Sequence, residues 1–183
     1  MRLLSLASTL IAFTATAYDN GAPNARLPTL GWSSWIGLGP GAEHPIFDYC
    51  DDAGIRAAAD AFIEVGLYDA GYRHFHLDDC WAGTERNATG YLVPEADHFP
   101  FGMKAVVDYV HSKNLSFGLY TCSGTLTCVG GRQGSFGHWQ QDADVFAEWG
   151  VDWVKQDFVR ARVPAPINPA TASPPCEPAS PRP

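Results

Sequence analysis

The chain has 183 residues, 46% of them hydrophobic and 13% aromatic, a composition that suits one globular domain with a sizeable core. Its formal charge of −8, from 20 acidic and 12 basic residues, leaves no room for the clustered cations that nucleic acid requires. By itself the negative charge implies no more than solubility.

In chain order, the first feature is Arg2, then an apolar run over residues 3–13, then Ala15-Thr16-Ala17. That is the pattern of a cleavable export signal, residues 1–17, and its apolar run is too short to span a bilayer. Cleavage after Ala17 removes Arg2 and takes the charge from −8 to −9 (−8 minus +1). The expected destination is secreted, or lysosomal or vacuolar through the same route, with no membrane partner once the leader is gone. Export makes the cysteines disulfide candidates. They are Cys50, Cys80, Cys122, Cys128 and Cys176, an odd number, so not all can pair within the chain. Asn87 and Asn114 each open an N-x-S/T sequon, a candidate glycosylation site in an exported protein.

After a lead-in over residues 18–26, strands and helices alternate. Residues 29–35 read as a first strand, and the Ala-rich stretch 51–65 as a helix stopped by Gly66. Residues 72–77 form a second strand, 103–111 a helix with Asn114 as a capping candidate, and 115–120 a third strand. Residues 140–149 form a helix closed by Gly150, and 151–155 a fourth strand. This order predicts a parallel sheet with crossover helices. Doubly wound and (β/α)8 TIM-barrel sheets both fit. The barrel is favoured because no G-x-G-x-x-G follows the first strand, and because carboxylates and aromatics gather at strand ends. A full barrel needs eight strands, so residues 27–159 supply the N-terminal half. Residues 160–183 are rich in Pro, Ala and Ser without periodicity and cannot bury enough surface to fold. They read as an end foreign to the domain, from a mis-spliced, frame-shifted or truncated gene, in preference to a linker.

Four strand ends hold the candidate chemistry: Gly31-Trp32-Ser33-Ser34-Trp35, Leu77-Asp78-Asp79-Cys80-Trp81, Tyr120 with Cys122 and Cys128 beyond it, and Lys155-Gln156-Asp157. Aromatic platforms and hydrogen-bonding carboxylates suit a sugar, and glycoside cleavage uses a pair of carboxyl groups. Lys155 and Asp157 lie two apart on one strand and point the same way, so the ammonium can sit beside the carboxylate and keep it ionised. Adjacent buried Asp78 and Asp79 repel and need partners; the plainer alternative is that they cap a loop. Of Trp32, Trp35 and Trp81, at least one belongs to the core. His74 and His76 alternate with Asp78 along one strand, which could suggest a metal, although histidines in such positions are more often structural. Ser33, Ser34 and Ser123 lack a G-x-S-x-G context, which argues against a serine hydrolase.

Taken together, LPTLGWSSW, GLYDAGYRHFHLDDCW, LVPEADHFPFGMKAVVDYVHSKNLSFGLY, TCVGG and WGVDWVKQD resemble glycoside hydrolase family 27, the α-galactosidase family, over roughly residues 27–157. The resemblance implies a retaining enzyme acting on terminal α-D-galactosyl residues, without metal or cofactor. It implies that Asp157 is the nucleophile and that Lys155 contacts the sugar. Asp78 and Asp79 would hold the galactose 4- and 6-hydroxyls, Trp35 and Tyr120 would line the pocket, and Cys128 would belong to the substrate-binding side. It also implies a Cys50–Cys80 disulfide. Where the family has a cysteine just after the nucleophile, this chain has Phe158 and Val159. Cys122 and Cys128 are close enough to bond each other as a substitute. The family's acid/base aspartate has no counterpart, so the 183-residue chain alone is expected to be poorly active and poorly stable. The alternatives are an α-N-acetylgalactosaminidase of the same family, or a catalytically dead secreted fragment that binds galactose weakly.

Overall fold

The computed structural model describes residues 28–37, 50–129 and 131–158. The leader, the lead-in, the tail from 160 and Cys176 lie outside the described residues. The elements are β1 (Gly31–Ser33), α1 (Ser34–Gly37), α2 (Asp52–Glu64), β2 (His74–Leu77), α3 (Gly102–Ser112), β3 (Ser116–Cys122), α4 (Trp139–Trp149) and β4 (Trp153–Asp157).

Each long helix follows from its apolar spacing and its ends. Asp51 accepts the Gly54 N–H at 2.6 Å and so starts α2, which buries Ile55, Ala59 and Phe62 along one stripe. Helix α3 buries Met103, Val106, Val107 and Val110, and Asn114 follows it in the left-handed region at φ 57°. Helix α4 ends on Gly150 at φ 83°, a conformation that glycine takes without cost. These stripes pack on Phe75, Leu77, Phe117 and Leu119, the alternate residues of β2 and β3, to make one core.

The four strands are parallel and stand in the order β1-β2-β3-β4. A doubly wound sheet reverses its strand order part-way; here the order never reverses, which is barrel progression. The register sets rows of residues across the inner face. Ser33, His76, Gly118 and Trp153 share one row, Tyr120 and Lys155 the next, and Cys122 and Asp157 the last.

Two boundaries differ from the sequence reading in ways that matter. The first strand stops at Ser33, and Ser34 and Trp35 turn into α1, because the Ser34 hydroxyl accepts the Asp78 N–H at 2.8 Å. The third and fourth strands run further, to Cys122 and Asp157, because those two residues pair with each other and extend the ladder. Cys50 and Cys80 form a disulfide, Cα to Cα 6.2 Å, which ties the start of α2 to the end of β2. No disulfide joins Cys122 to Cys128: the Cys122 sulfur, buried at the end of β3, accepts the Gly124 N–H at 3.2 Å.

Candidate active site

The strand ends bring Asp78, Tyr120, Lys155 and Asp157 together. Tyr120 is buried. Its hydroxyl donates to Asp157 Oδ2 at 3.3 Å, and Lys155 Nζ stands 5.1 Å over its ring centre. The same ammonium donates to Asp78 Oδ2 at 2.8 Å, where His76 Nε2 also arrives at 3.1 Å. Asp78 Oδ1 accepts the Asp79 N–H at 2.8 Å. The half-buried Asp157 accepts the Phe158 N–H on Oδ1 at 2.8 Å. Trp35 on α1 is half-buried against the edge of the core. Cys128, also half-buried, lies between Thr127 and Val129, and both of these residues bond Asp79.

Lys155 therefore partners Asp78 and not Asp157, as the two-residue spacing had suggested. The register explains the difference. Lys155 pairs across the sheet with Tyr120, and Asp78, following Leu77 opposite Leu119, shares that row; Asp157 stands one row further on, opposite Cys122. The buried Asp78 carboxylate, 2% exposed, is also the one that most needs a cation.

The two adjacent acids are driven apart electrostatically. Burial alone would push Asp78 up, but the hydrogen bonds from His76, Lys155 and the Asp79 amide outweigh it and hold it below the usual carboxylate range. Asp79 is pushed up to about 6, chiefly by burial, against hydrogen bonds from Thr127 and Val129 and with added repulsion from Asp78. The Tyr120 hydroxyl is also raised, first by burial and then by the negative charge of Asp79 and Asp157.

The Asp79 shift has a stability consequence of definite sign. Between the ordinary value of 3.8 and about 6, the folded state keeps a proton that the unfolded chain has released. Stability therefore falls as pH rises through that window, and the cost persists above it. Asp78 acts oppositely, since its contribution is present above the ordinary carboxylate value and lost as pH falls. Melting temperatures from pH 4 to 7 should show the Asp79 decline in the native chain and its disappearance in Asp79→Asn. An equal slope in both would contradict this assignment.

The other candidates resolve into partnered roles. His74 Nδ1 meets the Ser116 hydroxyl at 2.7 Å, and His76 serves Asp78. Among the described residues no group of three His, Cys, Asp or Glu is arranged to hold a metal ion. Trp81 is core: it is 1% exposed, donates from Nε1 to the Tyr120 carbonyl at 2.9 Å, and meets Phe146 and Trp149 edge-on. Trp32 stacks on Phe75, centroids 4.7 Å apart. Both sequon asparagines are exposed, and the Asn87 Oδ1 already accepts the Thr89 and Tyr91 N–H groups in its turn. Sequence reasoning named Ser34 but missed its role: its hydroxyl accepts the Asp78 N–H and anchors that backbone.

The family described as alpha galactosidase A, Melibiase_2, matches residues 27–165. The chain belongs to the alpha galactosidase A family. Within that family it is 40% identical over 169 residues to alpha-galactosidase A of Cellvibrio japonicus, an alignment covering 92% of this chain and 39% of that protein. It is 45% identical over 130 residues to the alpha-galactosidase of Coffea arabica, covering 71% of this chain and 32% of the relative. The crystal structure of alpha-galactosidase I from Mortierella vinacea superposes with a TM-score of 0.65 at 36% identity, over 75% of this chain and 33% of that one. The chain thus spans about a third of the length of these alpha galactosidase A relatives, and its sheet corresponds to the N-terminal half of their barrel.

Proposed function

We propose that this chain carries the nucleophile and the sugar-holding side of a retaining α-galactosidase. The observation that supports this most is the placement of Asp157 at the end of β4, beside the buried Tyr120 hydroxyl and one row from the Asp78–Lys155 pair. An Asp157 oxygen forms the bond to the anomeric carbon of a terminal α-galactoside as the bond to the leaving oxygen breaks. The leaving oxygen takes a proton from an acid that no described residue is assigned to supply, and water then releases the galactose. Asp78 and Asp79 accept the sugar hydroxyls, Lys155 donates to them, and Trp35, Tyr120 and Cys128 line the pocket. The names of the relatives support α-galactosides as the substrate class. Export through the secretory route belongs to the same proposal, and the Cys50–Cys80 bond supports an oxidising destination.

The reading is tested by calorimetric titration of the chain with galactose and with glucose, which differ only at the 4-hydroxyl. Galactose is expected to bind at least about tenfold more tightly, because a site built to bond a hydroxyl rejects a sugar that misplaces it. Equal binding of the two sugars, or none of galactose, would overturn it.

A further inference from the structure

Directly beneath the site, the row Ser33–His76–Gly118–Trp153 has an unusual construction. A Cβ on Gly118 would stand 2.2 Å from Trp153 Cε2, so only glycine lets the indole lie across the β3 backbone. The indole then reaches β2 and stacks on the His76 ring, centroids 4.6 Å apart at 21°. His76 is 3% exposed. A carboxylate only accepts, so Nε2 carries the hydrogen of the bond to Asp78 Oδ2. Nδ1 is buried and has no hydrogen-bond partner among the described residues, so the polar contact of this ring is directed wholly at Asp78.

Asp78 has roughly four acceptor positions. His76 and Lys155 take two on Oδ2, and the Asp79 N–H takes one on Oδ1. The remaining position belongs to Oδ1. Of the donors, the Lys155 side chain is 40% exposed on a flexible stem, whereas His76 is walled in and stacked.

We infer that His76, clamped by Trp153 across Gly118, is a positioning residue for Asp78, fixing the carboxylate so that Oδ1 is presented to a sugar hydroxyl. The identity of the ligand rests on the proposed function; the clamp does not.

The test compares His76→Leu, which removes the donor, with His76→Gln, whose amide nitrogen can take the place of Nε2. Carbon-13 NMR titration of the Asp78 carboxyl and calorimetric galactose binding are both read on the full chain. With Leu, the Asp78 midpoint is expected to rise by about one pH unit, as loss of a charge-favouring hydrogen bond requires, and galactose binding to weaken about tenfold. Gln should restore most of both. An unshifted midpoint in folded Leu, or a folded Gln variant as impaired as Leu, overturns the inference. If Leu fails to fold, the native ring carries the test. Nitrogen-15 NMR should place the hydrogen on Nε2, and Asp78→Asn should shift that resonance; hydrogen on Nδ1, or an unmoved resonance, overturns it. If the native chain takes up no galactose, the proposed function fails, while the carboxyl titration still decides the role of His76.

Discussion

Replacing Asp157 with Asn is expected to lower release of dinitrophenol from a 2,4-dinitrophenyl α-galactoside by at least about 10³-fold, the scale on which removing a covalent nucleophile acts in other hydrolases. Dinitrophenolate leaves without protonation, so its first turnover reports bond formation by the nucleophile and is insensitive to an acid. The amide is nearly isosteric with the carboxylate: its oxygen can still accept the Phe158 N–H, and its NH2 then faces the Tyr120 hydroxyl, whose oxygen can accept in place of donating. The fold should therefore survive while the anionic oxygen is lost. Stopped-flow absorbance on the native chain and the variant makes the comparison. An undiminished burst in Asp157→Asn would assign the nucleophile elsewhere, with Asp79, just past the end of β2, the first alternative.

The second large effect concerns stability and lies away from the pocket. Arg86 meets Asp142 with two parallel bonds, Nη1 to Oδ1 at 2.6 Å and Nη2 to Oδ2 at 2.8 Å. The same guanidinium donates to the Gly90 and Gly134 carbonyls at 2.9 and 2.8 Å. It thereby joins the loop after β2, the loop after β3 and the first turn of α4. The side chains are 10% and 2% exposed. Removing one partner strands a buried charge, so Asp142→Ala is expected to cost about 3–5 kcal/mol. Converting both, Arg86→Met with Asp142→Leu, should cost clearly less than the two single changes added together, because neither charge is then left alone. Guanidinium chloride unfolding of the native chain, Asp142→Ala, Arg86→Met, Asp142→Leu and the double variant measures both. A loss below about 1 kcal/mol for Asp142→Ala would place the pair with ordinary surface ion pairs.

These two cases mark where the sequence was legible. Strand and helix order could be read because apolar residues recur at the right period: Phe75 and Leu77 at two, Val106, Val107 and Val110 at helical spacing. Asp157 and Tyr120 could be placed at the site because strand ends collect chemistry in this architecture. The Lys155–Asp78 bond spans 77 residues and the Arg86–Asp142 bonds span 56. No local pattern encodes such pairings. The spacing of Lys155 and Asp157 gave their common face but not which row Asp78 occupies. Asp142, in the first turn of an amphipathic helix, reads as solvent-facing until Arg86 is brought over it. The Cys50–Cys80 bond came from the family resemblance and is present in the structure. The role of His76 was obscured by the metal reading that its alternation with His74 invites; its stacking partner Trp153 lies two strands away.

The central claim is that Asp157 becomes covalently bonded to galactose. Incubating the chain with an activated α-galactosyl donor such as 2,4-dinitrophenyl 2-deoxy-2,2-difluoro-α-galactoside, then digesting and sequencing by mass spectrometry, tests it directly. The sugar mass is expected on Asp157, absent from Asp157→Asn, and suppressed by excess galactose but not by glucose. A label on Asp78, Asp79 or any other residue, or a label that persists in Asp157→Asn, would contradict it.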